Sequence, residues 1–210
     1  MKEIIVLGAG GHCRSIIDVI ELENRFKVTG IIDNELPVGS KVLNYEVIGN
    51  DSDLEKLRRK YEYAIIGVGQ IKTSKVRIKL FELLKRYKYT LPVIISPRAH
   101  VSKYAKIGEG SIIMHDVVVN TNANIGINCI INTKALIEHD ARIGNHCHIS
   151  TGAIINGECE VVDSVFVGSN TVVTNNIKIG SEIVIGSGSV VVNDILEKGV
   201  YAGNPARRIK

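Results

Sequence analysis

The chain has 210 residues, a formal net charge of +4, four Cys, ten Phe and Tyr together and no Trp. Its charge is spread without a long basic run and its aromatics are few, which argues against nucleic-acid binding, where clustered Lys/Arg with stacking aromatics are expected. No apolar run approaches the roughly 20 residues of a membrane span, and Met1-Lys2-Glu3 leads directly into a short apolar strand, not a signal-peptide core, so a cytoplasmic protein is expected.

The first 92 residues do not repeat and form one expected domain, residues 1–92. Ile4–Leu7 reads as a buried strand, Gly8-Ala9-Gly10-Gly11-His12 as a turn, and Ser15–Leu22 as a helix with Ile16, Ile17, Val19 and Ile20 apolar. Val28–Asp33 is a second strand. Ser52–Lys60 is a second helix, with Ser52 as N-cap and Glu55 three residues on. Tyr63–Val68 is a third strand, Thr73–Arg86 a basic amphipathic helix, and Thr90–Ile95 a last strand, with Pro92 and Pro97 at the junction. Strands alternating with helices predict a small parallel α/β sheet with right-handed crossovers, about half a Rossmann fold.

From Ile95 to Val191 every sixth residue is Ile or Val, and the residue four places later is mostly small and never charged. A six-residue period fits neither a 3.6-residue helix nor a half-buried strand. It fits a parallel β-helix of hexapeptides over residues 93–195, in which each repeat forms one side of a triangular coil. The aliphatic residue points inward and stacks on its counterpart eighteen residues away, about 4.8 Å along the axis. Gly108, Gly126, Gly144, Gly168, Gly180 and Gly186 follow aliphatic positions and suit turns of positive φ. Cys129, Cys147 and Cys159 occupy small inner positions and read as reduced core residues, not a disulfide frame. Residues 196–210 break the rhythm as an extended tail. A solenoid end is an open sheet edge, so the α/β domain is expected to cap one end and this tail the other.

The glycine turn exposes N–H groups at a helix N-terminus, which suits phosphate oxygens. Asp33 stands at the end of the second strand, where a carboxylate reaches a sugar hydroxyl. The turn departs from a dinucleotide fingerprint because position 13 is Cys, and the domain is too short for two nucleotide halves. A mononucleotide such as a UDP-sugar, or a purely structural turn, are the two readings. In the solenoid, His139 sits between Glu138 and Asp140 at an outward position, and a neighbouring carboxylate makes an imidazole a better base. An outward turn histidine with no role is the other reading. His115, His146 and His148 supply the three ligands a catalytic zinc needs, but His148 lies beside the inward Ile149, and no metal is expected.

Taken together, Val6-Leu7-Gly8-Ala9-Gly10-Gly11-His12, the uninterrupted hexapeptides, Asn132-Thr133-Lys134-Ala135-Leu136-Ile137-Glu138-His139-Asp140 and the tail Gly203-Asn204-Pro205-Ala206 resemble the bacterial sugar O/N-acyltransferases. The resemblance covers residues 2–209. It implies a Rossmann-like half-domain followed by a left-handed parallel β-helix. Two branches are similar: acetyl-CoA-dependent N-acetyltransferases that complete UDP-di-N-acetylbacillosamine, and sialic acid O-acetyltransferases. By this resemblance His139 is the general base and Asp140 its partner, one carbon shorter than the glutamate of the amino-sugar enzymes. His148 and Gly157 contact acetyl-CoA; on chemical grounds a backbone N–H such as that of Gly157 suits the oxyanion. Asn132 lines the acceptor cleft, and Gly10, Gly11, His12, Asp33, Asn34 and, with Gly67, Gly69 bind the nucleotide-sugar.

The expected function is N-acetylation of a nucleotide-linked amino sugar of the UDP-4-amino-4,6-dideoxy type, for bacterial surface glycans or glycoproteins. The alternatives are O-acetylation of sialic acid and a non-catalytic nucleotide-binding trimeric scaffold. Outward apolar side chains (Val119, Ile131, Val173) favour a homotrimer, with CoA between neighbouring solenoids and the α/β domain of one chain supplying the acceptor.

Overall fold

The computed structural model describes all residues, 1–210. The N-terminal sheet runs β1 (Lys2–Leu7), β2 (Phe26–Ile32), β3 (Lys41–Val42), β4 (Tyr45–Gly49) and β5 (Tyr63–Ile66) in the order β3-β4-β2-β1-β5. β1 is parallel to both β2 and β5, and β4 is parallel to β2. Ile4, Ile5, Val6 and Leu7 are all buried, the continuous apolar run of a strand covered on both faces. Helix α1 (Gly11–Glu23) buries Cys13, Ile16, Ile17, Val19 and Ile20 at helical spacing. It ends where Asn24 turns left-handed at φ 55 and its N–H returns to Ile20 O.

Four local expectations change. Gly11 and His12 belong to the first turn of α1 and not to the preceding turn, so the helix starts at the glycines. β3 and β4 form a hairpin that the sequence reading lacks, which makes the sheet mixed. The second helix is short: a 3₁₀ turn (Asp51–Asp53) leads into α2 (Leu54–Leu57). Its cap is Asn50, whose side chain accepts from Ser52 N while Asp53 accepts from Asn50 N, so the capping box lies two residues before the expected one. The segment 90–95 is not one strand. Thr90 makes a single bridge to Tyr63, whereas Ile94–Ile95 is already the first strand of the solenoid.

Two-residue strands then recur every six residues from Ile94–Ile95 (β6) to Val190–Val191 (β22), each parallel to the strand eighteen residues away. They form three flat faces. The second residue of each strand points inward, and Val119, Ile131 and Val173 are fully buried there. These three therefore do not face outward; the outward residue is the one before. On the first face the outward column Ile94, Ile112, Ile130, His148 and Phe166 is buried. On the second, Val118, Leu136, Ile154, Val172 and Val190 form an apolar stripe that is only half-buried. On the third, Lys106, Asn124, Arg142, Glu160 and Lys178 are exposed.

The glycines after the aliphatic positions do not adopt positive φ. They are needed because the coils approach closely: a Cβ on Gly108 would lie 2.6 Å from Gly126 C. Left-handed residues fall two places later instead, at Asp116, Asn122, Asn128, Lys134, Asp140, His146 and their successors.

The α/β domain lies along the first face and not over the end of the prism. Asp18 meets His115, Arg77 meets Asn128, and Gln70 meets His146 and His148. The tail continues the first face. β23 (Val200–Ala202) pairs parallel with Val184–Ile185, and β24 (Arg207–Arg208) folds back antiparallel on it. No helix is long and apolar enough to cross a membrane.

Candidate active site

Strand order reverses beside β1, and the crevice at the carboxyl ends of β1 and β5 is where open α/β sheets take ligands. A cavity of about 510 Å³ opens there, lined by Gly10, Gly11, Asp33, Asn34, Asp51 and Lys79 among others. Gly8 has φ +100, and a Cβ on it would lie 2.7 Å from Val68 Cγ2, so only glycine brings β1 into α1 this tightly. Around Gly10 and Gly11 a Cβ would meet nothing within 4 Å, which leaves open space over the α1 N-terminus. No side chain caps that terminus and no acid sits in its first turn, so its N–H groups are available to an anion. Asp33 Oδ1 accepts from Glu35 N and Leu36 N, which fixes the loop after β2. Asn34 and Asp51 hold each other through two hydrogen bonds.

His12 and Gly69 also line a second, more open cavity of about 790 Å³, together with Gln70, Asn132, Thr133 and His148. His148 Nδ1 donates to Gln70 O at 2.6 Å, and Asn132 Nδ2 donates to His148 Nε2 at 3.2 Å. That network fixes a neutral tautomer. Burial also pushes the His148 pKa down to about 4. Burial, with Arg77 nearby, takes His12 down to about 3, and His12 Nε2 is buried without a partner. Its ring lies 6.5 Å from that of His148. Arg77, only 1% exposed, donates to Ile66 O, Val68 O, Asn128 O and Asn128 Oδ1, and so pins the end of β5 to the solenoid.

His139 lies elsewhere, on the corner between the second and third faces. Its side chain is 53% exposed, and its Nδ1 donates to Asp140 Oδ2 at 2.9 Å. Asp140 Oδ1 accepts from Asn122 Nδ2 at 2.6 Å. The carboxylate is thereby held on both sides, and Nε2 keeps a lone pair toward solvent. The hydrogen bond to Asp140 raises the His139 pKa, and the bonds from Asn122 and His139 lower that of Asp140. Gly157, one coil above His139, sits directly over its ring: a Cβ there would be 2.8 Å from Cε1 and from Nε2. The Gly157 N–H has no acceptor within the protein.

The structure thus brings His139, Asp140 and Gly157 together, and separately groups Gly10, Gly11, His12, Asp33, Asn34, Gly69, Asn132 and His148. Within one chain the whole second face lies between the two groups. His115 bonds Ser96 and Asp18, His146 bonds Asn128, and His148 bonds Gln70 and Asn132, so these three do not converge. Sequence reasoning missed Asn122, Asp51, Lys79, Gln70 and Arg77. Asn122 was findable, because it lies eighteen residues before Asp140.

A paired imidazole and carboxylate beside a free N–H thus stand on a hexapeptide prism that carries a half-Rossmann domain. Residues 3–84 match the PglD N-terminal domain family. UDP-N-acetylbacillosamine N-acetyltransferase from Bacillus subtilis (strain 168) is 32% identical over 116 residues, 54% of this chain and 52% of that protein. The chain therefore spans about half the length of the curated relative it matches. PerB from Caulobacter crescentus, solved in complex with CoA and GDP-perosamine, is 29% identical with a TM-score of 0.94 over 100% of this chain and 98% of that one. The acetyltransferase domain of PglB from Neisseria gonorrhoeae FA1090, solved with acetyl coenzyme A, is 28% identical with a TM-score of 0.90 over 99% of each chain. Over its whole length the chain is thus similar in fold to solved acetyltransferases that join a Rossmann-like domain to a parallel β-helix.

Proposed function

We propose that this chain is an acetyl-CoA-dependent N-acetyltransferase acting on a nucleotide-linked amino sugar, with His139 as general base. The observation that carries this reading is the His139–Asp140 pair, whose free Nε2 lies under Gly157. Relatives whose complexes hold CoA with GDP-perosamine, or acetyl coenzyme A, support it.

The acceptor amine attacks the thioester carbonyl carbon, and His139 Nε2 takes the proton the nitrogen sheds. The C–N bond forms as the C–S bond breaks, and CoA leaves as a thiolate. Asp140 stabilises the imidazolium, and the free Gly157 N–H suits the oxyanion. The thiolate needs no further activation to depart. The nucleotide-sugar belongs in the crevice over Gly10 and Gly11, with Asp33 and Asn34 at its rim. Residues 1–92 then serve as acceptor domain, 93–195 as the acyltransferase prism and 196–210 as its terminal cover.

A homotrimer completes the site. The half-buried stripe of Val118, Leu136, Ile154, Val172 and Val190 suits cover by a second copy. His139 stands at the edge of that stripe, so a neighbour's acceptor crevice can meet it. The test is thiol release from acetyl-CoA with a panel of UDP- and GDP-linked amino sugars. The His139→Ala variant should lose about 10²- to 10⁴-fold in turnover. Unchanged turnover in that variant refutes the assignment.

A further inference from the structure

We propose that the side-chain amide of Asn175 is a catalytic donor: it gives a hydrogen bond to the oxygen of the reacting thioester, alongside the Gly157 N–H. This rests on the acyltransferase reading and adds a residue to its reacting centre.

The third position of the hexapeptide puts Thr121, His139, Gly157 and Asn175 in one column, on the corner between the second and third faces. The backbone ladder holds that column in register. Glu158 N donates to His139 O and Asn176 N donates to Gly157 O, both at 3.1 Å. Because Gly157 has no side chain, the volume beside its Cα is left to its neighbours. The point a Cβ would occupy lies 2.8 Å from His139 Nε2 and 3.3 Å from Asn175 Nδ2. The imidazole reaches that point from the coil below and the amide from the coil above. Base, backbone N–H and side-chain amide therefore converge on one small opening.

Asn175 is not spent on the fold. Asn156 gives its amide to Val173 O, Thr174 gives its hydroxyl to Val191 O, and Asn122 is committed to Asp140. Asn175 is exposed and gives its amide to no protein group. The left-handed turn residue is its neighbour Asn176, at φ 61, so the backbone does not ask for asparagine at 175. The Gly157 N–H is likewise without an acceptor. As the acceptor nitrogen bonds to the thioester carbon, the carbonyl electron pair moves onto oxygen. His139 Nε2 takes the proton from nitrogen, and the pair returns as the C–S bond breaks. Donors aimed at the oxygen that gains charge act mainly in the transition state, so they raise kcat more than they tighten binding.

The experiment follows thiol release by the full-length protein, with acetyl-CoA and whichever UDP- or GDP-linked amino sugar of the panel it turns over. Asn175→Ala should lower kcat by about 10²-fold. Its KM for acetyl-CoA should stay within about threefold of wild type, and its melting temperature should not move, since nothing packs on this side chain. Asn175→Asp removes the donor and sets a negative charge against the oxyanion, so it should be slower still, by roughly tenfold. A kcat loss below about tenfold in Asn175→Ala, or a loss carried by KM, overturns the assignment. So does an Asn175→Asp variant no slower than Asn175→Ala. Each of those results leaves His139 as base untouched. If wild type turns over no sugar of the panel, the acyltransferase reading falls and takes the Asn175 assignment with it, which is a distinguishable outcome.

Discussion

Gly157→Ala tests whether the position of the His139 ring governs the reaction. The added methyl would sit 2.8 Å from both Cε1 and Nε2 of His139, and 3.3 Å from Asn175 Nδ2. Carbon and its neighbours are comfortable at about 3.5 Å or more, so the ring must retreat by roughly 0.7 Å. Half its surface faces solvent, and it can swing away without breaking the core. The melting temperature should therefore move by no more than about a degree, since substitutions away from packed features stay within roughly 0.5 kcal/mol. Catalysis should suffer far more, because a misplacement of about 1 Å costs about 10²-fold. The expected kcat loss is roughly 30- to 100-fold, equivalent to about 2–3 kcal/mol of activation free energy. Continuous thiol detection with acetyl-CoA reads kcat, and calorimetry reads stability. A variant with kcat within threefold of wild type refutes the claim that Nε2 works from under Gly157.

Asp140→Asn keeps a residue suited to the left-handed backbone but removes the charge. Asp140 holds the His139 pKa above its ordinary value, and a base works only when deprotonated, so wild-type activity falls as pH drops through that raised pKa. In the variant the acid limb of the kcat/KM profile should shift to lower pH while the plateau drops roughly 10²-fold; an acid limb that stays in place counts against the pairing. Arg77→Ala strands four acceptors at a buried junction. It should cost about 3 kcal/mol, read as a fall of about 6–12 °C in calorimetric Tm, and a loss under 2 °C would mean that the guanidinium does not hold the domains together. Ile154→Asp places a charge in the centre of the half-buried apolar stripe. Light scattering should report monomer and activity should vanish with assembly, whereas a fully active monomer would refute a site completed by a second copy.

The prism was legible from residue 95 onward because each coil repeats the same demands. An inward aliphatic every six residues is needed to fill a triangular core, and any charged residue there would be buried without a partner. His139 and Gly157 sit in the same column eighteen residues apart, so their proximity was in principle readable from arithmetic alone. The N-terminal domain was harder. The hairpin of β3 and β4 has strands of two and five residues with little alternation, and the Asn50 cap hides behind an equally plausible Ser52. Gln70 and Arg77 had no signal, because their roles arise from a domain contact between residues more than fifty positions apart. The outward apolar column was misread for a simple reason: strands of two residues leave one position between inside and outside.

The corner that holds the His139–Asp140 pair also shows why a solenoid accepts such a pair at small cost. The fourth position of the repeats from Gly110 to Gly188 is left-handed, a conformation cheapest for Gly, Asn and Asp. Asp140 satisfies that backbone need at φ 61. Its N–H goes to Thr121 O one coil below, as in the other repeats. Its carboxylate is left over and reaches the residue just before it, which is His139. Asn122, under the same constraint one coil earlier, supplies the amide that holds the carboxylate's other oxygen. The dyad is thus assembled from residue types the turn already favours, with the backbone ladder intact. The orientation of the Asp140 carboxylate is therefore set by backbone geometry and by Asn122 together.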